Sequence, residues 1–225
     1  MKKMFFLSAS FLALAFLIQA QDCTYYFPAT KDATYETKSY NAKDKLTGST
    51  KVTVLEKSGN AVKFHCEVFD DKGKQLSKGD YEVTCENGEF KIDMNQYLKG
   101  VDPTAYQGME VKMDSKQMTI PSKLQAGQKL NDGEISMKVS NQFMTILNMV
   151  TKITNRKVES FQDMTVPAGT YKCAKLTYDV ESKAIVNAKS KGVEYIAEKV
   201  GVVRSESYDE KGKLTSYSVM TSFKE

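Results

Sequence analysis

Residues 61–94 read AVKFHCEVFDDKGKQLSKGDYEVTCENGEFKIDM, and the alternation within them decides the fold class. Val62, Phe64, Cys66 and Val68 fall on one face of the first run, and Lys63, His65 and Glu67 on the other. Tyr81, Val83 and Cys85 oppose Glu82, Thr84 and Glu86, and Phe90, Ile92 and Met94 oppose Glu89, Lys91 and Asp93. Successive side chains of a strand point to opposite faces, so this period of two describes half-buried antiparallel strands. Between the second and third runs stands Asn87-Gly88, a pair that tolerates the positive φ of a type I′ hairpin turn. Downstream, Met109, Val111 and Met113 alternate with Glu110 and Lys112 in the same way.

The turn inside this stretch has two relatives. Tyr40-Asn-Ala-Lys-Asp-Lys-Leu-Thr, Phe69-Asp-Asp-Lys-Gly-Lys-Gln-Leu-Ser and Tyr208-Asp-Glu-Lys-Gly-Lys-Leu-Thr-Ser share one plan. An aromatic ends a strand, a polar loop reverses the chain, and a Leu follows. Three such hairpins predict a long meander. Residues 143–153 fit helix and strand spacing alike, but five Thr and Asn residues between Thr145 and Asn155 favour strand. The expected fold is all-β: a long antiparallel meander of roughly a dozen strands, forming a strongly curled sheet or open barrel. Few or no helices are expected after the leader. Residues 95–107 are less regular and mark a loop or short helix, with a possible sub-division there.

The chain opens MKKMFFLSASFLALAFLIQAQDC. Lys2 and Lys3 precede an apolar run from Met4 to Ile18, and Ala20 suits a signal-peptidase cut. The run is shorter than the roughly 20 residues of a spanning helix, so residues 1–20 read as a signal peptide and 21–225 as one exported β-rich domain. The expected address is the periplasm, ahead of an extracellular or lipid-anchored one. A lipid anchor on Cys23 is disfavoured because Gln21 and Asp22, not small residues, precede it. The chain is not expected to span a membrane. The 32 Lys and Arg and 28 Asp and Glu of the 225 residues are interspersed, with no basic block, which argues against nucleic-acid binding.

Cys23, Cys66, Cys85 and Cys173 are an even count in an exported chain, so two disulfides are expected, with no metal site. A turn centred near Lys72-Gly73 puts Cys66 opposite about Gly79. Cys85 is then roughly 20 Å further along, too far to bond Cys66. Two pairings remain open: Cys23–Cys85 with Cys66–Cys173, which is preferred, or Cys23–Cys66 with Cys85–Cys173.

Several words in the C-terminal part carry a resemblance. They are Asn155-Arg-Lys-Val158, Thr165-Val-Pro-Ala-Gly-Thr-Tyr-Lys-Cys173, and Tyr195-Ile-Ala-Glu-Lys-Val-Gly-Val-Val-Arg204 running into Glu206 and Tyr208. With Asp22-Cys23 they make most of the mature chain similar to the TapB-like exported proteins of Gram-negative bacteria. The resemblance implies an all-β envelope domain and brings no functional residues with it.

The catalytic inventory is thin. His65, the sole histidine, falls on the wet face between Lys63 and Glu67. No nucleophile motif is present, and acid pairs such as Asp70-Asp71 border turns. No catalytic residue and no cofactor is expected. Met109, Met113, Met137, Phe143 and Met149 are candidate ligand-lining residues, because flexible thioethers adapt to varied apolar ligands. The two arginines, Arg156 and Arg204, are candidate cavity-rim residues, with ion pairs to Glu159 and Glu206 as the competing structural role. The expected function is a non-catalytic binding or carrier module for a lipophilic small molecule. A structural or protein-interaction module of the envelope, with a solid core and an envelope protein as partner, is the alternative.

Overall fold

The structure is a computed structural model that describes residues 26–92, 109–116, 118–184 and 187–225. The leader, Cys23 and residues 95–107 lie outside the described residues. Among the described residues, thirteen strands form one antiparallel sheet. In chain order they are β1 (Thr34–Asn41), β2 (Leu46–Ser58), β3 (Ala61–Asp70), β4 (Gln75–Glu86), β5 (Glu89–Ile92), β6 (Glu110–Lys116) and β7 (Thr119–Pro121). They continue with β8 (Gly133–Ser140), β9 (Thr145–Val166), β10 (Gly169–Lys183), β11 (Ala188–Ala197), β12 (Gly201–Asp209) and β13 (Leu214–Lys224). The expected all-β meander is thus observed, and the ambiguous 143–153 segment is strand.

Local chemistry accounts for the turns. Asn87 and Gly88 both have positive φ, 53° and 76°, as a type I′ turn requires. The three related loops are one structure repeated. Asn41, Asp70 and Asp209 each accept two backbone N–H groups on Oδ1, from the residues two and four further on. The left-handed position is filled by Asp44, Gly73 and Gly212. The side chain that opens each loop thus replaces hydrogen bonds the ladder has lost.

The register of β3 against β4 sets Cys66 opposite Gly79, so Cys66 and Cys85 stand apart along the sheet as expected. The two-disulfide expectation is overturned. Cys66 and Cys173 are buried free thiols, so neither expected pairing set holds. Their burial gives the reason. Cys66 packs in a core cluster with Val52, Phe64, Val83 and Phe90, whereas Cys173 packs in a second cluster with Val203, Val219 and Met220. On β10, Cys173 and its neighbour Ala174 face opposite sides, and only Ala174 joins the Cys66 cluster. Cys85 is disulfide-bonded.

The sheet order begins with β6 and ends with β7, yet only two residues separate these strands in the chain. Three Cα steps reach about 11 Å at most. The two edges of the sheet therefore curl to within that distance at Lys116 and Thr119, and the described residues of β6 and β7 do not pair. The first core cluster fills the concavity so formed, drawing on β2–β5 from one side and on Val158, Leu176 and Ile196 from the other. The segment before β1 enters the same space. The Phe27 ring stands edge-on to Phe64 and Phe90, with centroids 5.5 and 5.0 Å away.

Candidate functional site

A cavity of about 240 Å³ remains inside the curl. Its wall is aromatic on the β3–β5 side, where Phe64, Tyr81 and Phe90 meet Phe27. Ile120 of β7, Ile196 of β11 and Val202 of β12 make the aliphatic side. Glu194 is the one acidic residue among the described residues that line it.

The placement of Glu194 follows from its strand. Gly192, Glu194 and Ile196 share the concave face of β11, by alternation. Tyr178 of β10 is paired with Gly192, and its ring covers the glycine so closely that a Cβ there would lie 2.2 Å from ring carbons. Only glycine leaves this room. The Tyr178 hydroxyl then reaches the next inward residue and donates to Glu194 Oε1 at 3.0 Å. Burial pushes the Glu194 carboxyl above the usual carboxylate range, against the opposing pull of the Tyr178 hydroxyl and the Arg156 guanidinium. Burial, and then Glu194, pushes the Tyr178 phenol upward as well.

Arg156 completes this polar group from β9. Between Thr177 and Asp179 the β9–β10 register shifts, so Asn155 and Arg156 oppose Tyr178 alone. Asn155 takes φ of 54°, and its amide donates to Asp179 Oδ2 at 2.7 Å. This bulge brings Arg156 into the interior, where it is 7% exposed. Its Nη1 donates to the carbonyls of Thr119 and Asn131, at 3.1 and 2.6 Å. Arg156 therefore ties β9 to β7, across the gap between the two sheet edges. Desolvation lowers its pKa, and Glu194, Tyr178 and Asp132 work against that shift.

The other expected site residues lie elsewhere. Met113, Met137 and Met149 are paired in register across β6, β8 and β9, so the sheet does bring these three positions together. Met137 and Met149 are not among the described residues that line the cavity. Met109 is exposed, and Phe143 stands 91% exposed at the tip of the β8–β9 hairpin beside Met144. Arg156 is interior rather than at a rim, and Glu159 instead contacts Lys157 and Thr177. Arg204 does make the ion pair with Glu206, at 2.7 Å, and its guanidinium lies 4.9 Å from the Tyr217 ring centre. His65 contacts Asp80 through Nδ1 at 2.7 Å on the outer face.

Glu194, Tyr178 and the aromatic lining were missed by sequence reasoning. One signal was available. Residues 192–197 read GVEYIA, apolar on both faces, which marks a strand covered on both sides. A lone Glu in such a strand is an interior carboxyl.

Among the described residues, no helix is long and apolar enough to cross a membrane. A solved structure from Bacteroides fragilis, described as an exported protein with a YmcC-like fold, is similar to this chain. The two share 25% sequence identity at a TM-score of 0.73, over 90% of this chain and 100% of that one. A Parabacteroides distasonis protein described as a lipoprotein is similar at 26% identity and a TM-score of 0.72, over 91% of this chain and 100% of that one. No curated protein sequence matches. The model of one family does match, over residues 30–220, and it does not carry the narrower TapB-like name. With that match spanning most of its length, the chain belongs to the DUF3108-like family.

Proposed function

We propose that this chain is an exported, non-catalytic binding module of the cell envelope that holds a lipophilic small molecule inside its curled sheet. The observation that carries the reading is the cavity of about 240 Å³ with a wall of aromatic and aliphatic side chains. Apolar concavities with few polar groups are the usual form of small-molecule sites, although this one falls just below their common size range of roughly 300–1,000 Å³. Export is supported by the leader-like residues 1–20 and by relatives described as an exported protein and a lipoprotein.

The test is titration with N-phenyl-1-naphthylamine, an uncharged probe that fluoresces in apolar surroundings. Saturable binding is expected, and Val202→Phe, which fills the cavity from β12, should weaken it at least tenfold. Equal binding by the folded variant and the parent protein would place the probe elsewhere and defeat the reading.

A further inference from the structure

We propose that the cavity takes a single-chain amphiphile with an uncharged hydroxyl head, and that the hydroxyl docks on Glu194. This rests on the cavity reading above and adds the chemistry of the head group.

Among the described residues, the wall offers a ligand one carboxyl, that of Glu194. Tyr178 occupies Oε1 of Glu194, and Oε2 takes no hydrogen bond from any described residue. A head group reaching the β11 wall therefore meets an oxygen with capacity to spare. The hydroxyl of Tyr26, another lining residue, is already engaged by the Leu124 backbone N–H at 3.3 Å.

Charge selects among head groups. The groups facing Glu194 are the Arg156 guanidinium from β9 and the Tyr178 phenol from β10. Arg156 already supplies a positive charge in this interior, with Nη1 committed to two carbonyls. An ammonium head would add a second positive charge to a site holding one carboxylate, and a buried charge without its own partner is costly. A carboxylate head would meet Glu194 as a like charge. A hydroxyl both donates and accepts. It donates to Glu194 when the carboxyl is ionised and accepts from it when the carboxyl holds its proton, so it fits either state. Size sets the chain. At roughly 30 Å³ per water-sized group, the cavity holds about eight such groups, which suits a chain of roughly eight carbons.

The experiment displaces N-phenyl-1-naphthylamine from the full exported chain with 1-octanol, octanoate or octylammonium, at pH 6.5 and 8.5. Octanol is expected to compete best at both values. Glu194→Leu should reduce the affinity ratio of octanol to the naphthylamine probe about tenfold, as loss of one buried hydrogen bond implies. Glu194→Gln, whose amide also donates and accepts, should reduce that ratio less than threefold. Stronger competition by octanoate or octylammonium overturns the head-group assignment while leaving the cavity reading intact, and so does an unchanged ratio in Glu194→Leu. Failure of the naphthylamine to bind the parent protein overturns both.

Discussion

Replacing Arg156 by Met tests whether one side chain clasps the curled sheet. Met keeps most of the apolar stem and removes the guanidinium. Two hydrogen bonds from a charged donor are lost, each worth about 1.5–3 kcal/mol, and the carbonyls of Thr119 and Asn131 lose those donors. Glu194 also loses the opposite charge nearest to it on β9. Relaxation makes the separate losses less than additive, so about 3–5 kcal/mol is expected for the two bonds together. For a chain of this size that is a drop of about 6–20 °C in Tm. Arg204→Met is the control. Its pair with Glu206 is less enclosed, with the two side chains 27% and 13% exposed, and the loss should be about 1–2 kcal/mol with the Tyr217 ring contact included. Urea unfolding followed by far-UV circular dichroism gives both numbers. Hydrogen exchange then locates the damage: amides of β7 should exchange faster in Arg156→Met while those of β3 stay protected. The double variant Arg156→Met/Glu194→Gln should recover at least about 0.5 kcal/mol, because no uncompensated carboxylate remains. A loss below about 1 kcal/mol for Arg156→Met, or one no larger than for Arg204→Met, would refute the clasp.

Three further outcomes are expected. Cys66 and Cys173 should resist alkylation in the folded protein, since burial raises both thiols, Cys173 to about 11, and the thiolate is the reactive form. Both should label fully in urea without reductant, and a non-reducing peptide map joining Cys66 to Cys173 would contradict this. Glu194 should make stability fall with pH: a carboxyl raised on folding keeps its proton in the native state where the unfolded chain has lost it. Its favourable contribution is complete below the unfolded pKa and disappears as pH rises through the folded one. The stability of Glu194→Gln relative to the parent should therefore grow between pH 5 and pH 8, and a constant difference in urea titrations would count against it. Gly88→Val should cost about 1–2 kcal/mol in thermal unfolding, because φ of 76° is disfavoured for a β-branched residue, and a neutral effect would argue against the type I′ turn.

The parts of the fold legible in the sequence are those fixed by neighbouring residues. The bounds of β3, its inward set of Val62, Phe64 and Cys66, and the opposition of Cys66 to Gly79 all follow from alternation and one turn. Alternation fails where the strand is bulged. In β9 the registers shift near Arg156 and again near Glu159, so counting by twos from Phe143 misassigns faces beyond Thr154. Arg156 was chosen as a rim residue for its chemistry and its nearness to Glu159, and only the bulge, which the sequence does not announce, turns it into the interior. The cysteines failed for a different reason. An even count in an exported chain says that pairing is chemically permitted, but contact depends on which core each cysteine enters. Cys66 and Cys173 enter different ones. The methionines were chosen for their chemistry alone: Met113, Met137 and Met149 fall opposite one another in register, whereas the cavity is lined by the aromatic residues of β3–β5.

The way the sheet closes explains why a cavity exists beside a charged group at all. A ladder between β6 and β7 would seal the barrel and satisfy both edges with backbone hydrogen bonds. Instead β7 is three residues long and, among the described residues, pairs only with β5. Its Thr119 carbonyl is satisfied by Arg156, from a strand two places in from the opposite edge. A side chain spans more distance than a strand pair, so this closure leaves space where a ladder would leave none. It also carries a positive charge into the interior, where the influence of Glu194 on the cavity wall works against its desolvation. The geometry of closure and the polarity of the cavity are therefore one arrangement. The Asn155 bulge brings inward the side chain that ties β9 to β7 and sets its charge where it acts on Glu194 of the cavity wall.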